Sequence, residues 1–482
     1  MLIKDISYLR IFVSVNQQVD IQAYLEEFRS EIGRLNKSVK ELSDDNARLN
    51  RRIEALNVEN ADLRKRLSKY EDPQPPKNSS NSSLPPSKER MGDEIKRRTT
   101  SLREKSGKKP GGQPGHEGNT RRMSVRPDEV ESIQPNYCRE CGRDLSDIEG
   151  TEEYQEECVG VKITPVVKRL RFLNKTCTCG CRNQVDYTRR KNPVYLSSEI
   201  RAIVIYLNIV MCMPYNRIKS FMRDVMRVDI SEGSIRNFIE HAGDKADALC
   251  DRIATELIKS PVVGADESGF YVNGKLNWAW ILQNPRLTLT WIAKGRSAKE
   301  VDDRFGENAL ENTVLTTDRH SAYFSMNVKG HPICIAHLLR NLNWLGELDK
   351  KQNWSSRLQE LLRKAVHWRN ENPEVVADIS TWMESLDKLL NENLDKLKKP
   401  FHQMRNSLRK LREHVFYCLK DPRVASHNNA SEGGIRILKV KQKRSGGFRS
   451  QAGAEDFMAI HSVADTAKKN DFSRWDAVLA LV

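Results

Sequence analysis

Between residues 21 and 70, the apolar side chains follow a strict seven-residue repeat. Such a repeat predicts a left-handed coiled coil, and β-branched residues at position a with leucine at position d favour two parallel strands. Asn46 and Asn60 at position a would pair with their own copies and fix the register, so we expect a homodimer. A single amphipathic helix packed on its own domain is the alternative, although a 3.5-residue repeat drifts off one face of a straight helix. Position d holds Leu35, Leu42, Leu49, Leu56 and Leu63, and position a holds Ile32, Val39, Asn46, Ile53, Asn60 and Leu67.

Residues 195–260 have the apolar periodicity of helices rather than of strands. Two short helices, a turn and a capped helix match a helix-turn-helix, whose last helix can enter a DNA major groove. Arg236 and Asn237 then lie where base-reading side chains would be. Three-helix packing without DNA is the alternative. The helices are predicted at 200–210, at 215–226 and after the capping residue Ser231.

From residue 261 the pattern changes to short β-type runs separated by turn residues. The runs read VVGAD, FYVNGKLNWAWIL, LTLTWIA and VLTTD, and Asn273 with Gly274 in the second run is a strong hairpin signal. In an RNase H-like sheet the first strand pairs with the fourth, which would bring together Asp266 and Asp318, the acids that end those two runs. Glu267 would point to the opposite face of its strand and is the less promising ligand.

A mostly helical insertion at about 334–417 separates Asp318 from a third acid, Glu432, which begins a helical pattern rich in Lys and Arg. Within the insertion, Cys334 and His337 have the C-x2-H spacing of metal ligands. Without a second pair of ligands, however, we favour packing or substrate positioning for these two residues. A helical tail is predicted at 451–482.

The net charge favours a polyanionic partner. The 482 residues, enough for about three domains, carry 80 Lys or Arg against 65 Asp or Glu, a formal net charge of +15. Nucleic acid is the leading partner and a membrane surface the second. No run is long and apolar enough for a membrane span, and the first residues lack a signal-peptide core. We therefore expect a soluble, intracellular protein.

Residues 71–127 have no apolar periodicity and are rich in Pro, Gly, Ser and Lys. Between Lys88 and Arg126, twelve Lys or Arg stand against five Asp or Glu, so much of the chain's excess charge lies here. Such a segment is expected to be a disordered linker that lies along a phosphate backbone. A merely solvated tether is the alternative.

Five of the ten cysteines form two tight clusters, CREC and CTCGC, joined by β-type residues. This arrangement at 128–190 resembles a zinc ribbon, in which four thiolates hold a module too small to fold by packing alone. The second cluster is irregular, because it has one residue between ligands where ribbons usually have two. Unligated cysteines are the alternative. The predicted Zn²⁺ ligands are Cys138, Cys141, Cys177 and Cys179, with Cys181 as the substitute for one of the last two.

Three acids from distant parts of a basic chain indicate chemistry on phosphate. Cleavage of a phosphodiester needs an activated nucleophilic oxygen and a stabilised leaving oxygen, and two Mg²⁺ ions about 3.5–4 Å apart provide both. Mg²⁺ prefers carboxylate oxygens and keeps bound water, so three acids and the substrate phosphate suffice. Basic residues after the third acid would hold the DNA backbone, or alternatively form a solvated face. They are Arg436, Lys439, Lys441, Lys443, Arg444 and Arg449.

Four ordered motifs carry a specific resemblance. ADESGF (265–270), TTDRHSAYF (316–324), CIAHLLRNL (334–342) and NNASEGGIRILKVKQKRSGGFRS (428–450) resemble the transposase of the insertion-sequence-66 family. The linker, the cysteine clusters and the tail extend the resemblance over most of the chain. It implies an RNase H-like D-D-E transposase in which Asp266, Asp318 and Glu432 are the catalytic acids and bind Mg²⁺. The chain departs from the family beside those acids, at Ser268, Arg319, His320 and Gly433.

Together these observations predict a multidomain α+β protein with a coiled coil, a zinc ribbon, a helix-turn-helix and an RNase H-like α/β core at 261–450. The expected activity is that of a homodimeric DNA transposase, in a prokaryotic cytoplasm and on the nucleoid. It would bind the terminal inverted repeats of its element, cleave the 3′ ends and transfer the freed hydroxyls to target DNA. A non-catalytic zipper and zinc regulator, a decayed transposase and another RNase H-like nuclease are the alternatives. The need for companion proteins encoded by the same element stays open.

Overall fold

The computed structural model of the chain describes residues 21–71, 75, 77, 81, 113–118, 121–186 and 192–482. Two compact units divide the chain, Met1–Pro76 and Lys77–Val482. Most of the predicted basic linker, 71–127, lies outside the residues that the structure describes. Among the described helices, none is long and apolar enough to cross a membrane.

The first unit consists of one long helix, α1 (Ile21–Glu71), of 51 residues. Its bounds agree with the heptad segment, and at 1.5 Å per residue it is about 75 Å long. In the single chain, the apolar a and d side chains from Ile32 to Leu63 are exposed to solvent. Leu35 is 59% exposed, Leu42 66% and Leu56 49%. The helix is confirmed, and its pairing with a second copy stays a prediction.

The second unit begins with a largely irregular segment, residues 121–186. Its regular structure is a small antiparallel pair, β1 (Lys175–Thr176) and β2 (Arg182–Asn183). An isolated bridge joins Tyr137 to Asp144 around the first cysteine turn. Almost all side chains of the segment are exposed.

Three helices precede the main sheet, as predicted, and the third is the longest. Ser231 caps it, because the backbone N–H of Ser234 donates to the Ser231 hydroxyl at 3.0 Å. This helix packs along the C-terminal helix α13 (Gln451–Lys469), and its buried face shares one hydrophobic core with the sheet. The segments 195–260, 261–450 and 451–482 thus contribute to a common core rather than to three separate ones. The helices are α2 (Ser198–Ile209), α3 (Tyr215–Asp224) and α4 (Glu232–Ile258).

The main sheet has four strands, β3 (Val262–Val272), β4 (Lys275–Gln283), β5 (Thr288–Ala293) and β6 (Val314–Thr316). Their order across the sheet is β5-β4-β3-β6. Asn273 and Gly274, with φ of 48° and 71°, form the predicted turn between β3 and β4. The last strand pairs in parallel with β3, so that Gly264 lies opposite Thr316. The predicted pairing of the first strand with the fourth is therefore confirmed.

The outer edge of β5 is covered by α13. The backbone N–H of Thr288 donates to the hydroxyl of Thr466 at 3.0 Å, and that of Thr290 donates to the hydroxyl of Ser462 at 2.8 Å. Side chains of a helix thus take the place of a neighbouring strand at this edge.

The predicted helical insertion forms a core of its own, around Trp354, Phe401 and Phe416. Strand β6 contributes to both cores, since Val314 packs into the insertion and Leu315 into the sheet core. After the insertion, α12 (Asn429–Ser445) returns to cover β3 and β4. The remaining helices are α5 (Lys299–Phe305), α6 (Ile335–Leu348), α7 (Trp354–Glu371), α8 (Ser380–Leu390), α9 (Lys399–Lys410), α10 (Arg412–Val415), α11 (Tyr417–Lys420) and α14 (Arg474–Ala480).

Candidate active site

The pairing of β3 with β6 places two of the predicted acids side by side. Asp266 and Asp318 each stand two residues beyond the paired residues Gly264 and Thr316. The Asp318 carboxylate accepts a hydrogen bond from the backbone N–H of His320 at 2.8 Å, which fixes its orientation. Both acids are half-buried, at the end of the sheet where β6 stops.

Helix α12 carries the third acid and makes an unusually close approach to β3 just before it. A Cβ at Gly264 would lie 2.7 Å from Ser431 Oγ and 2.9 Å from Asn428 Oδ1, closer than side chains pack. The Asn428 amide also donates to the Ala265 carbonyl at 2.7 Å. The helix is therefore fixed to β3 immediately before Glu432.

Asp266 is the acid whose surroundings most disfavour ionisation. Burial raises the pKa of Asp266 well above its usual range, and the negative charges of Glu267, Asp318 and Glu432 raise it further. A buried group of oxygen anions is a favourable environment for a hard divalent cation. Within the described part of the chain, however, the three carboxylates do not gather into one group with ligand atoms all within 4.8 Å.

Glu432 lies among cationic side chains from two helices. Its Oε1 is 3.4 Å from His337 Nδ1 and 3.2 Å from a guanidinium nitrogen of Arg340, both on α6. Its Oε2 is 3.5 Å from Arg436, one turn further along α12. Burial lowers the pKa of His337, as does the charge of Arg340. The insertion thus contributes directly to this site through its first helix.

Sequence reasoning missed Arg340 and Asn428, and it assigned no ligand role to His337. A signal was present, because Cys334, His337 and Arg340 recur every three residues at the start of a helix and so share one face. Nothing in the sequence indicates that this face meets Glu432, since that contact depends on how the insertion folds back.

Glu267 has side-chain partners of its own, although its charge also acts on Asp266. That it points to the opposite face of its strand stays a prediction. Its carboxylate is 2.5 Å from the Arg296 guanidinium and accepts a hydrogen bond from the Tyr323 hydroxyl. Burial raises the pKa of Glu267 to about 7 despite the opposing charge of Arg296. Arg296 also lies over the Trp278 ring, 5.0 Å from its centroid. These contacts give Glu267 a place in the packing of the sheet.

The two predicted base-reading residues on α4 have different surroundings. Arg236 forms an ion pair with Asp456 on α13 and lies 3.7 Å from Glu240, so its guanidinium is already engaged within the chain. Asn237 is exposed. Of this pair, only Asn237 presents its side chain fully to solvent.

The basic residues of α12 also divide into two groups. Arg436 and Lys443 are exposed. Lys439 is half-buried and donates to the Gly269 carbonyl, and Arg444 donates to the Met211 carbonyl at 2.5 Å. Arg444 is exposed as well, but its guanidinium is engaged within the chain. Arg436 and Lys443 are therefore better placed than Lys439 and Arg444 to contact a phosphate backbone.

The predicted zinc ligands occupy two similar turns. In the first turn, the Gly142 N–H donates to the Cys138 carbonyl at 3.0 Å, and in the second, the Gly180 N–H donates to the Cys177 carbonyl at 2.9 Å. Both glycines have positive φ, which favours glycine there. Hydrogen bonds from the backbone and thiol of Cys141 lower the pKa of Cys138, and Cys179 acts likewise on Cys177.

The two turns do not bring their sulfurs together in this structure. Among the described residues, no group of metal-ligating atoms within 4.8 Å of one another includes Cys138, Cys141, Cys177, Cys179 or Cys181. Thiols on glycine-containing turns fit Zn²⁺ chemically, and the shared four-thiolate site stays a prediction.

Comparison with known families agrees with the position of these features. Residues 17–122 match a family described only as one of unknown function. No curated protein matches the chain. Residues 193–456, which include α2 to α12 and all three acids, match the family described as the IS66 family of transposases. Because that match spans more than half of the sequence, the chain belongs to the IS66 transposase family.

Proposed function

We propose that this transposase is a D-D-E enzyme in which Asp266, Asp318 and Glu432 form the catalytic centre. The observation that carries the proposal is the convergence of β3, β6 and α12. Parallel pairing aligns the first two acids, and the close approach of α12 at Gly264 brings the charge of the third to bear on Asp266. The strand order supports an RNase H-like core.

The residues present fit Mg²⁺, because the centre offers carboxylate oxygens, and because burial and then the neighbouring negative charges raise the pKa of Asp266. Asp266 is the natural shared ligand, with Asp318 and Glu432 completing the set. Two bound Mg²⁺ ions would supply activation of a water or hydroxyl oxygen and stabilisation of the leaving 3′ oxygen. Arg340 orients Glu432 from one side through a 3.2 Å hydrogen bond. The exposed Arg436 extends the cationic surface toward the substrate backbone.

The rest of the chain serves DNA binding and assembly in this proposal. Helix α1 pairs with a second copy through its heptad leucines, and the two cysteine turns share one Zn²⁺. The exposed basic residues contact the phosphates of the element ends. The proposed reaction is hydrolysis of the phosphodiester at each end of the element, followed by transfer of the freed 3′ hydroxyls to target DNA.

The decisive experiment is Asp318→Asn, assayed for Mg²⁺-dependent cleavage of DNA carrying an element end. Removing one carboxylate from a two-metal site should cost several kcal/mol of transition-state stabilisation, or more than about a thousandfold in rate. Binding to the same DNA should persist. Asp303→Asn, at an exposed acid on α5, is the matched control and should cleave normally.

Each alternative predicts a different result. Cleavage that survives Asp318→Asn would refute the catalytic assignment. A wild-type chain that binds the ends but never cuts them would indicate a regulator or a decayed enzyme. Cleavage without joining of a 3′-hydroxyl oligonucleotide to target DNA would indicate a nuclease of another kind.

A further inference from the structure

In the structure, Glu432 lies beside Cys334 and His337 and provides a third candidate ligand that the C-x2-H spacing alone does not reveal. One donor atom from each of Cys334, His337 and Glu432 lies within 4.8 Å of the other two, and they form the one such group among the described residues. Cys334 is the N-cap of α6, His337 lies in the first turn of that helix, and Glu432 lies in the first turn of α12.

Asn428 holds the two helix ends together. Its backbone N–H donates to Cys334 Sγ at 3.3 Å, and its carbonyl accepts from the Glu432 N–H at 3.1 Å. Asn428 is itself 4% exposed and fixed to β3. The three donors therefore sit on a rigid frame, as a preorganised metal site requires.

The donor set is chemically different from the carboxylate centre. Sulfur, imidazole nitrogen and carboxylate oxygen suit Zn²⁺ and Co²⁺, whereas Mg²⁺ prefers oxygen alone. Three protein ligands also leave one position of a tetrahedral ion open. His337 Nδ1 is buried and makes no hydrogen bond in the described structure. A bound cation would give this nitrogen the partner that it lacks.

Neighbouring positive charges oppose a cation here, since guanidinium nitrogens of Arg340 and Arg436 lie 3.2 Å and 3.5 Å from Glu432. Arg340 lies 3.2 Å from Glu432 Oε1, the same oxygen that faces His337. The Arg340 side chain is 18% exposed, so it lies at the border of the site and can turn toward solvent. A divalent ion bound to thiolate and carboxylate would replace the charge that Arg340 now supplies to Glu432.

We propose that Cys334, His337 and Glu432 bind a thiophilic divalent cation such as Zn²⁺, and that this ion takes Glu432 away from the carboxylate centre. Zn²⁺ would then inhibit Mg²⁺-dependent cleavage. This inhibition rests on the proposed function, whereas the metal site itself does not.

Binding is tested first, with Co²⁺ as the probe and the full-length chain as the protein. Serine replaces the six cysteines at 138, 141, 158, 177, 179 and 181, so that the remaining thiols are the four buried ones. We expect one Co²⁺ per chain with a sulfur-to-cobalt charge-transfer band. Cys334→Ser should remove the band, and His337→Gln and Glu432→Gln should each weaken binding at least about tenfold.

Cys418→Ser is the matched control, because Cys418 is equally buried but has no such companions. This variant should keep both the band and the affinity. Circular dichroism of every variant shows whether the fold is intact. If Cys334→Ser does not fold, Glu432→Gln, which keeps the shape of its side chain, tests the site instead. A band that survives Cys334→Ser, or Co²⁺ bound without any sulfur band, would overturn the site.

Cleavage is then measured in Mg²⁺ with and without micromolar Zn²⁺, each protein being compared with itself. The wild-type chain, with its cysteine clusters intact, should lose activity on adding Zn²⁺, and its Cys334→Ser derivative should resist. Equal inhibition of both would overturn the regulatory role. A cobalt band in a chain that never cleaves DNA would leave the metal site standing and refute the proposed function instead.

Discussion

At the scale of single residues, Asp266 carries most of the electrostatic cost of the candidate centre. Burial and three nearby carboxylates all disfavour its ionised form, so a proton competes with any cation for its oxygens. Raising the pH removes that competitor, and metal binding should therefore tighten as the pH rises.

Lys441 is a buried cation outside the candidate centre. It is 4% exposed, its amine lies 5.0 Å from the centroid of the Phe457 ring, and burial lowers its pKa from 10.5 to about 8. Below pH 8 the folded chain bears the full cost of holding this charge, about 3 kcal/mol. That cost disappears between pH 8 and 10.5, where the folded state loses its proton before the unfolded state does.

We therefore expect Lys441→Met to raise the free energy of unfolding by about 1–3 kcal/mol at pH 7, and by almost nothing at pH 10.5. Urea denaturation at both pH values measures the difference. Lys469→Met is the contrast, because Lys469 donates hydrogen bonds to Gln283, Asn284 and Leu287 and its loss should be destabilising. A constant effect of Lys441→Met across the pH range would contradict the argument.

At the scale of elements, the sequence predicts what depends on local pattern. The heptads specify α1, and the Asn-Gly pair specifies the β3–β4 hairpin. Short runs of β-branched and apolar residues specify the strand that carries Asp266 and the strand that precedes Asp318. Contacts between distant segments were not predictable. The close packing of α12 on Gly264 and the meeting of α6 with Glu432 depend on shape complementarity, which leaves no periodic trace in a single sequence.

Two adjacent glycines of α12 offer a test of that packing. A Cβ on Gly434 would clash with Ile281 Cδ1 on β4, whereas a Cβ on Gly433 would meet nothing within 4 Å. Ile281 is fully buried and has little room to move. We expect Gly434→Ala to destabilise the chain by about 1–3 kcal/mol. Gly433→Ala should stabilise it by about 0.5–1 kcal/mol, since alanine favours helix.

Chemical denaturation of both variants measures this difference. Cleavage activity, if present, should fall in Gly434→Ala together with stability, because the same helix carries Glu432. Equal stabilities for the two variants would show that α12 sits further from β4 than the structure places it.

At the scale of the whole molecule, the second unit contains two hydrophobic cores joined by one short strand. Val314 faces the insertion and Leu315 faces the sheet, so β6 couples the two cores directly beside Asp318. The predicted helix-turn-helix helices have no core of their own, because α4 packs into the sheet core. Sequence segments with different periodicities thus need not be separate folding units.

The assembly of two chains is predicted to depend on the leucine face of α1. Leu56 lies at heptad position d and is 49% exposed, whereas Val58 lies at the outward position f and is 72% exposed. Leu56→Asp should convert the dimer to a monomer at micromolar concentration, and Val58→Asp should leave the dimer intact. Sedimentation equilibrium of the full-length variants decides between these outcomes. A dimer that survives Leu56→Asp would place the contact elsewhere.

The covered edge of β5 has a consequence for how the protein behaves when concentrated. An open sheet edge invites a strand from another molecule and is a common start of aggregation. Here the hydroxyls of Ser462 and Thr466 already accept the N–H groups that such a strand would need. Heat-induced aggregation should therefore begin only after α13 detaches, so precipitation and loss of this one helix should occur at the same temperature.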